Sequence, residues 1–119
     1  MHITSNFDSG NIIVGAIDPD GTAHLSIRPD VGPDQFFQWF HFQVSGIRGK
    51  DITLLIENAG DASYTKGWEG YQACVSSDRE TWTRAETYYD AGVLTIRYRG
   101  EADSAWFAYF PPYSRERHR

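Results

Sequence analysis

Hydrolytic zinc chemistry needs three converging ligands, usually histidine and carboxylate, with a fourth position open to water. The sequence offers four histidines, His2, His24, His41 and His118. None stands beside a glutamate or a second histidine at the spacing zinc hydrolases use. His41 falls on a strand among aromatics, where a packed histidine with one hydrogen bond is the ordinary outcome. Nucleophilic catalysis finds no better support: there is no G-x-S-x-G turn and no glycine-rich phosphate loop ahead of a helix. Cys74 is flanked by Ala73 and Val75 and reads as a small half-buried side chain, not a reactive thiol. Asp18, Asp20 and Asp30 sit in turns without the ligand density of a calcium loop. Glu57 and Asp61 are the carboxylates a glycosidase pair would need, but such a pair is defined by a separation in space that sequence does not give. The expectation is a chain with no catalytic residue, no metal ligand and no cofactor of its own.

The elements available to position any site are strands. Ile12, Val14 and Ala16 alternate with Ile13, Gly15 and Ile17, which predicts a strand buried on both sides. Asp18-Pro19-Asp20-Gly21 is a turn, and Ala23, Leu25 and Ile27 complete a hairpin. Phe36 to Val44 is the strongest strand, aromatic on both faces and placed centrally. Ile52, Leu54 and Ile56 form one face of the next. Asn58 to Gly70 is a long irregular stretch carrying Tyr64 and Trp68, and loops of that length are often functional or packed on a neighbour. Further strands begin at Tyr71, lie around Trp82, and run from Val93 to Tyr98 and from Ala105 to Phe110. The pattern predicts an all-β fold, an antiparallel β-sandwich. Its inward residues are Phe40, Phe42, Ile52, Leu54, Ile56, Leu94, Ile96 and Phe107. Pro111 and Pro112 break the pattern, and Ser114 and Glu116 then suit the cap and first turn of a short helix start at the C-terminus.

The chain has 119 residues, enough for one domain with a real core. Its formal net charge is −5, which argues against nucleic acid and anionic membrane as partners. One cysteine excludes an internal disulfide and is compatible with a cytoplasmic location. The first residues lack the basic start and apolar core of a signal peptide, and no apolar run is long enough to span a bilayer.

Trp68, Tyr71, Trp82, Tyr88, Tyr89 and Trp106 exceed what a small core needs. Exposed, they would stack on sugar rings or form a patch against another domain. Two strands carry the excess, Phe36–Val44 and Ala105–Phe110, whereas a sandwich needs one inward face per sheet. An interdomain surface of Trp39, His41, Tyr64, Trp68, Trp106, Pro111, Pro112 and Tyr113 follows as an expectation.

Several segments resemble, in order, the N-terminal domain of cytosolic carboxypeptidases, which belong to the carboxypeptidase-A-like zinc metallopeptidases. They are Ser5-Asn6-Phe7-Asp8-Ser9-Gly10-Asn11, Leu25-Ser26-Ile27-Arg28-Pro29-Asp30, Gln38-Trp39-Phe40-His41-Phe42, Ile56-Glu57-Asn58-Ala59 and Phe107-Ala108-Tyr109-Phe110-Pro111-Pro112-Tyr113-Ser114. Together they cover almost the whole chain. His41 departs from the aromatic most often found at its position. The resemblance implies a β-sandwich accessory domain over residues 1–112, with residues 113–119 starting the first helix of an absent catalytic α/β domain. It also implies that zinc, its His-x-x-Glu ligands, a distant His and the general-base Glu all belong to that absent domain. The chain's partner would then be its own C-terminal catalytic domain. Its function would be to support that domain's folding and shape substrate access, without being an enzyme alone. The parent protein would be a hydrolase removing C-terminal residues, acidic ones in the best-known members. The alternative is a carbohydrate-binding β-sandwich module.

Overall fold

The structure is a computed structural model and describes residues 1–6, 10–27, 40–61, 68 and 70–109. Its strands are β1 (His2–Thr4), β2 (Ile13–Ile17), β3 (Thr22–Ser26), β4 (His41–Ser45), β5 (Asp51–Ile56), β6 (Cys74–Ser76), β7 (Thr83–Arg84), β8 (Glu86–Asp90), β9 (Val93–Arg99) and β10 (Ser104–Ala108). A 3-10 turn, Ala59–Asp61, follows β5. The strands form two five-stranded sheets, the first in the order β1-β4-β10-β6-β7 and the second in the order β2-β3-β5-β9-β8. This is the all-β sandwich that the alternating pattern predicts. The pairs are antiparallel except β3 with β5, which are parallel. The chain leaves the second sheet after β3, adds β4 to the first, and returns. That excursion lets β5 run the same way as β3.

One face of each sheet turns inward. Phe40, Phe42, Val44, Val75, Ala105 and Phe107 meet Leu25, Ile52, Leu54, Ile56, Leu94 and Ile96 in one buried cluster. Phe42 stacks on Phe107 at 5.6 Å between centroids, and the edge of Tyr98 meets Phe107 at 5.5 Å. All the inward residues expected from the alternation are buried. β4 is paired on both sides, by β1 and β10, so it is an interior strand as expected.

Turn chemistry sets the registers. Gly21 has φ +92° and donates to the Asp18 carbonyl at 3.1 Å, while Asp20 Oδ1 accepts from Thr22 N at 3.0 Å. Ala91 and Gly92 both have positive φ, as a two-residue type I′ hairpin between β8 and β9 requires. Gly60 crosses that hairpin closely. A Cβ on Gly60 would stand 2.8 Å from the Gly92 Cα, so only glycine fits there.

Two expectations change. The run Ile12–Ile17 was to be buried on both sides. Ile12 is buried, but Ile13, Val14 and Ile17 are 44%, 37% and 38% exposed. The reason is lateral position: among the described residues β2 is an edge strand with one neighbour, and its register is irregular between Val14 and Ile17. Cys74 is fully buried, not half-buried, because all of β6 is covered. Strands β1 and β8 are additions to the sequence reading. The first half of the strand expected from Phe36, and the helix start expected at Ser114, lie outside the described residues.

Candidate functional site

The residues expected to face a second domain separate into three groups. Trp39, Tyr64, Pro111, Pro112 and Tyr113 lie outside the described residues. His41 and Trp68 are described and correct the expectation, since both are buried within this chain, at 0% and 1% exposure. Trp106 is half-buried and does reach the surface.

Trp68 is buried among aromatic side chains from both sheets' core. Its indole edge meets Tyr71 at 5.3 Å and Tyr109 at 5.5 Å, and its ring stacks on Phe40 at 6.5 Å. The indole N–H donates to the Ala59 carbonyl at 2.9 Å, so the buried polar atom is satisfied. His41 alternates with Phe40 and Phe42 and therefore sits on the outer face of the first sheet. That face is covered here too. Ala108 and Cys74 beside it on β10 and β6 are buried, and the edge of Trp82 meets the His41 ring at 6.1 Å. Backbone bonds between Asn11 and His41, at 2.8 and 3.2 Å, hold the segment before β2 against β4.

Further along the same outer face stands Trp106, with Gln43 and Ser76 as its register partners. The turn after β6 places a cation over it. Ser76 Oγ accepts from Arg79 N at 2.7 Å and donates to Asp78 Oδ1 at 2.9 Å. The same carboxylate oxygen accepts from Glu80 N at 2.8 Å and Thr81 N at 2.9 Å. The N–H groups of Thr81 and Glu80, with the Ser76 hydroxyl, hold the Asp78 carboxyl below the usual carboxylate range. This knot gives Arg79 its φ of 67° and sets its guanidinium 5.7 Å from the centre of the Trp106 ring, a cation–π contact. Nearby, Trp82 Nε1–H is buried with no acceptor among the described residues.

The chain is held firmly at Tyr109, where the described residues end. Tyr109 N donates to the Phe40 carbonyl at 3.0 Å, and Tyr71 O–H donates to the Tyr109 carbonyl. The Tyr109 ring packs on Phe40 at 6.2 Å and Tyr71 at 5.2 Å. Burial pushes the Tyr71 phenol up, so it remains a donor at every working pH.

Among the described residues no group of three His, Cys, Asp or Glu is placed to hold a metal ion. His24 lies between Asp18 and Glu57, and both its ring nitrogens are engaged. Of the aromatics a sugar could stack on, Trp106 lies under Arg79, and Tyr88 is exposed with its hydroxyl tied to Glu86. Among the described residues no helix is long and apolar enough to cross a membrane. Sequence reasoning named Trp106 but missed Arg79 and the Asp78 knot. Nothing in the spacing of Ser76-Ser77-Asp78 marks a turn that aims a cation.

The family model for the cytosolic carboxypeptidase N-terminal domain matches residues 3–110. An uncharacterized protein of Zymomonas mobilis is 47% identical over 119 residues, covering 99% of this chain and 30% of that protein. The crystal structure of a metallo-carboxypeptidase from Burkholderia cenocepacia is similar with a TM-score of 0.91 and 42% identity, covering 98% of this chain and 30% of the other. A metallo-carboxypeptidase from Pseudomonas aeruginosa, in complex with (2-guanidinoethylmercapto)succinic acid, gives a TM-score of 0.91 and 44% identity, covering 99% and 32%. The chain thus spans about a third or less of the relatives it matches. With a matching sandwich in each of these structures and a family match along nearly its whole length, the chain belongs to the cytosolic carboxypeptidase N-terminal domain family.

Proposed function

We propose that this chain is the non-catalytic N-terminal accessory domain of a zinc-dependent metallocarboxypeptidase of the cytoplasm. Its partner is a catalytic domain in the same polypeptide, which carries the zinc, its ligands and the general base. The accessory domain supports folding of that partner and shapes access to its active site. The observation that carries this reading is coverage: metallo-carboxypeptidases match this chain over 98–99% of its length, yet it accounts for only 30–32% of theirs. The family description names both the N-terminal position and the cytosol.

The docking surface of this proposal is the outer face of the first sheet. Trp106 and Arg79 present a flat cationic-aromatic patch there, of the kind enriched in interface cores. Tyr109, where the described residues end, is anchored to the same sheet. Trp39, Tyr64, Pro111, Pro112 and Tyr113 remain part of this proposed surface. His41 and Trp68 instead support it from within.

The test is a graft. This chain replaces the matching part of the Pseudomonas aeruginosa metallo-carboxypeptidase, beside a version with that part deleted. A soluble, metal-dependent carboxypeptidase from the graft and none from the deletion is the predicted result. A deletion as soluble and active as the intact enzyme would overturn the accessory role.

A further inference from the structure

His24 points outward from β3 with both ring nitrogens engaged. Nδ1 lies 2.7 Å from Glu57 Oε2, and Nε2 lies 2.9 Å from Asp18 Oδ2. An ionised carboxylate only accepts hydrogen bonds, so each contact requires an N–H on the ring. A neutral imidazole has one N–H; the imidazolium has two. The pair of contacts is therefore complete only when the ring is protonated. Without that proton, a nitrogen lone pair faces a carboxylate oxygen at hydrogen-bond distance.

The cluster sits where strand β2 ends. Asp18 opens the turn from β2 to β3, and Glu57 is the first residue after β5. The ring thus ties the end of β2 to the end of β5 across β3. Among the described residues, the charged groups facing it are Asp18 from the turn and Glu57 from beyond β5. Leu55, its register partner on β5, brings no charge. Gly15 on β2 brings no side chain, and a Cβ there would stand 2.9 Å from the His24 carbonyl oxygen. Asp20 is turned to the Thr22 amide. Among the described residues β2 has a neighbour on one side only, and it has an irregular register and exposed Ile13, Val14 and Ile17. It is the strand with most to gain from a tether.

We propose that His24, Asp18 and Glu57 form a proton-operated clasp that holds edge strand β2 to its sheet and lets it go when the ring loses its proton. The His24 side chain is 29% exposed, so solvent protons reach it. The hydrogen bond to Glu57, and then that to Asp18, hold the imidazole above its usual value. A pKa raised on folding stabilises fully below about 6.5, and that contribution is lost as pH rises through the folded value. Released, β2 offers its unpaired backbone edge and its apolar side chains together, which favours pairing with another strand. The inference does not depend on the proposed carboxypeptidase role.

The test follows His24 ring signals by NMR, together with amide exchange of residues 13–17 corrected for the intrinsic pH dependence of exchange. It uses the 119-residue chain, wild type and with His24→Gln or Glu57→Gln. In the wild type the ring titrates above about 6.5, and protection in β2 falls across that titration, about tenfold for each pH unit of elevation. Protection in His24→Gln is flat with pH. Glu57→Gln lowers the His24 midpoint. A wild-type midpoint at or below about 6.5, wild-type protection in β2 that ignores the titration, or an unmoved midpoint in Glu57→Gln overturns the clasp.

Discussion

The indole N–H of Trp68 donates to the carbonyl of Ala59 at 2.9 Å, and this bond turns a loop residue into part of the core. Ala59 opens the 3-10 turn after β5, and Gly60 N in that turn donates to the Gly92 carbonyl of the β8–β9 hairpin at 2.8 Å. One side chain therefore ties the long loop to a turn that is itself seated on the second sheet.

Replacing Trp68 with Ala removes a fully buried indole and should cost about 3–5 kcal/mol. Trp68→Phe keeps most of the packing but leaves the Ala59 carbonyl without its donor, a cost of about 1–3 kcal/mol. Denaturant melts read both. A loss below about 1 kcal/mol for Trp68→Ala would place the indole outside the core.

Phe42→Ala should also cost about 3–5 kcal/mol, because Phe42 is fully buried and stacked on Phe107 at the meeting of the sheets. The side chain lies on the face of the first sheet opposite the proposed docking face. An unfolding midpoint equal to that of the wild type would contradict the packing described.

Asn58 behaves as a strand of one side chain. Its Oδ1 accepts from Ile27 N at 2.8 Å and its Nδ2 donates to the Ile27 carbonyl at 2.9 Å. Asn58→Asp keeps the acceptor and loses the donor, setting a carboxylate oxygen against a carbonyl. It should lower stability by about 1–3 kcal/mol, more than a surface amide loss. Equal melts for wild type and Asn58→Asp would show the bonds to be dispensable.

Much of this architecture was legible because burial follows a period of two. Ile52, Leu54 and Ile56, or Leu94 and Ile96, state which face is inward wherever the strand lies. β2 was misread because apolarity on both faces says nothing about lateral position, and β2 lies at the edge of its sheet. β8 was missed because Glu86, Tyr88 and Asp90 face solvent, and only pairing with β9 across the Ala91-Gly92 turn makes it a strand. Trp68 was read as surface because its burial depends on Phe40 and Tyr109 as well as Tyr71, and the first two are distant in sequence. Trp106 was found by its excess on β10, but Arg79 is aimed by a hydrogen-bond knot that no spacing rule encodes.

That knot has a pH signature. The Asp78 pKa is lowered on folding, so its contribution to stability is present above about 3.9 and lost as pH falls through the folded value. The stability difference between wild type and Asp78→Ala should therefore narrow in acid. A gap that is constant or widens below about pH 3.9 would rule out the carboxylate as the organiser of the turn.

Cys74 should be silent toward thiol reagents in the folded chain. It is buried, and burial raises its thiol pKa. Labelling by an aromatic disulfide reagent should be about 10³-fold or more slower than in denaturant, because it waits on opening. Native labelling within about tenfold of the denatured rate would mean that β6 is uncovered.

The central claim is that this domain serves a carboxypeptidase without being one. The most direct measurement is release of C-terminal amino acids from a varied peptide set by the purified 119-residue chain saturated with zinc. The account predicts no release at any zinc concentration. Release that requires zinc, is abolished by chelation and persists through rigorous purification would contradict it.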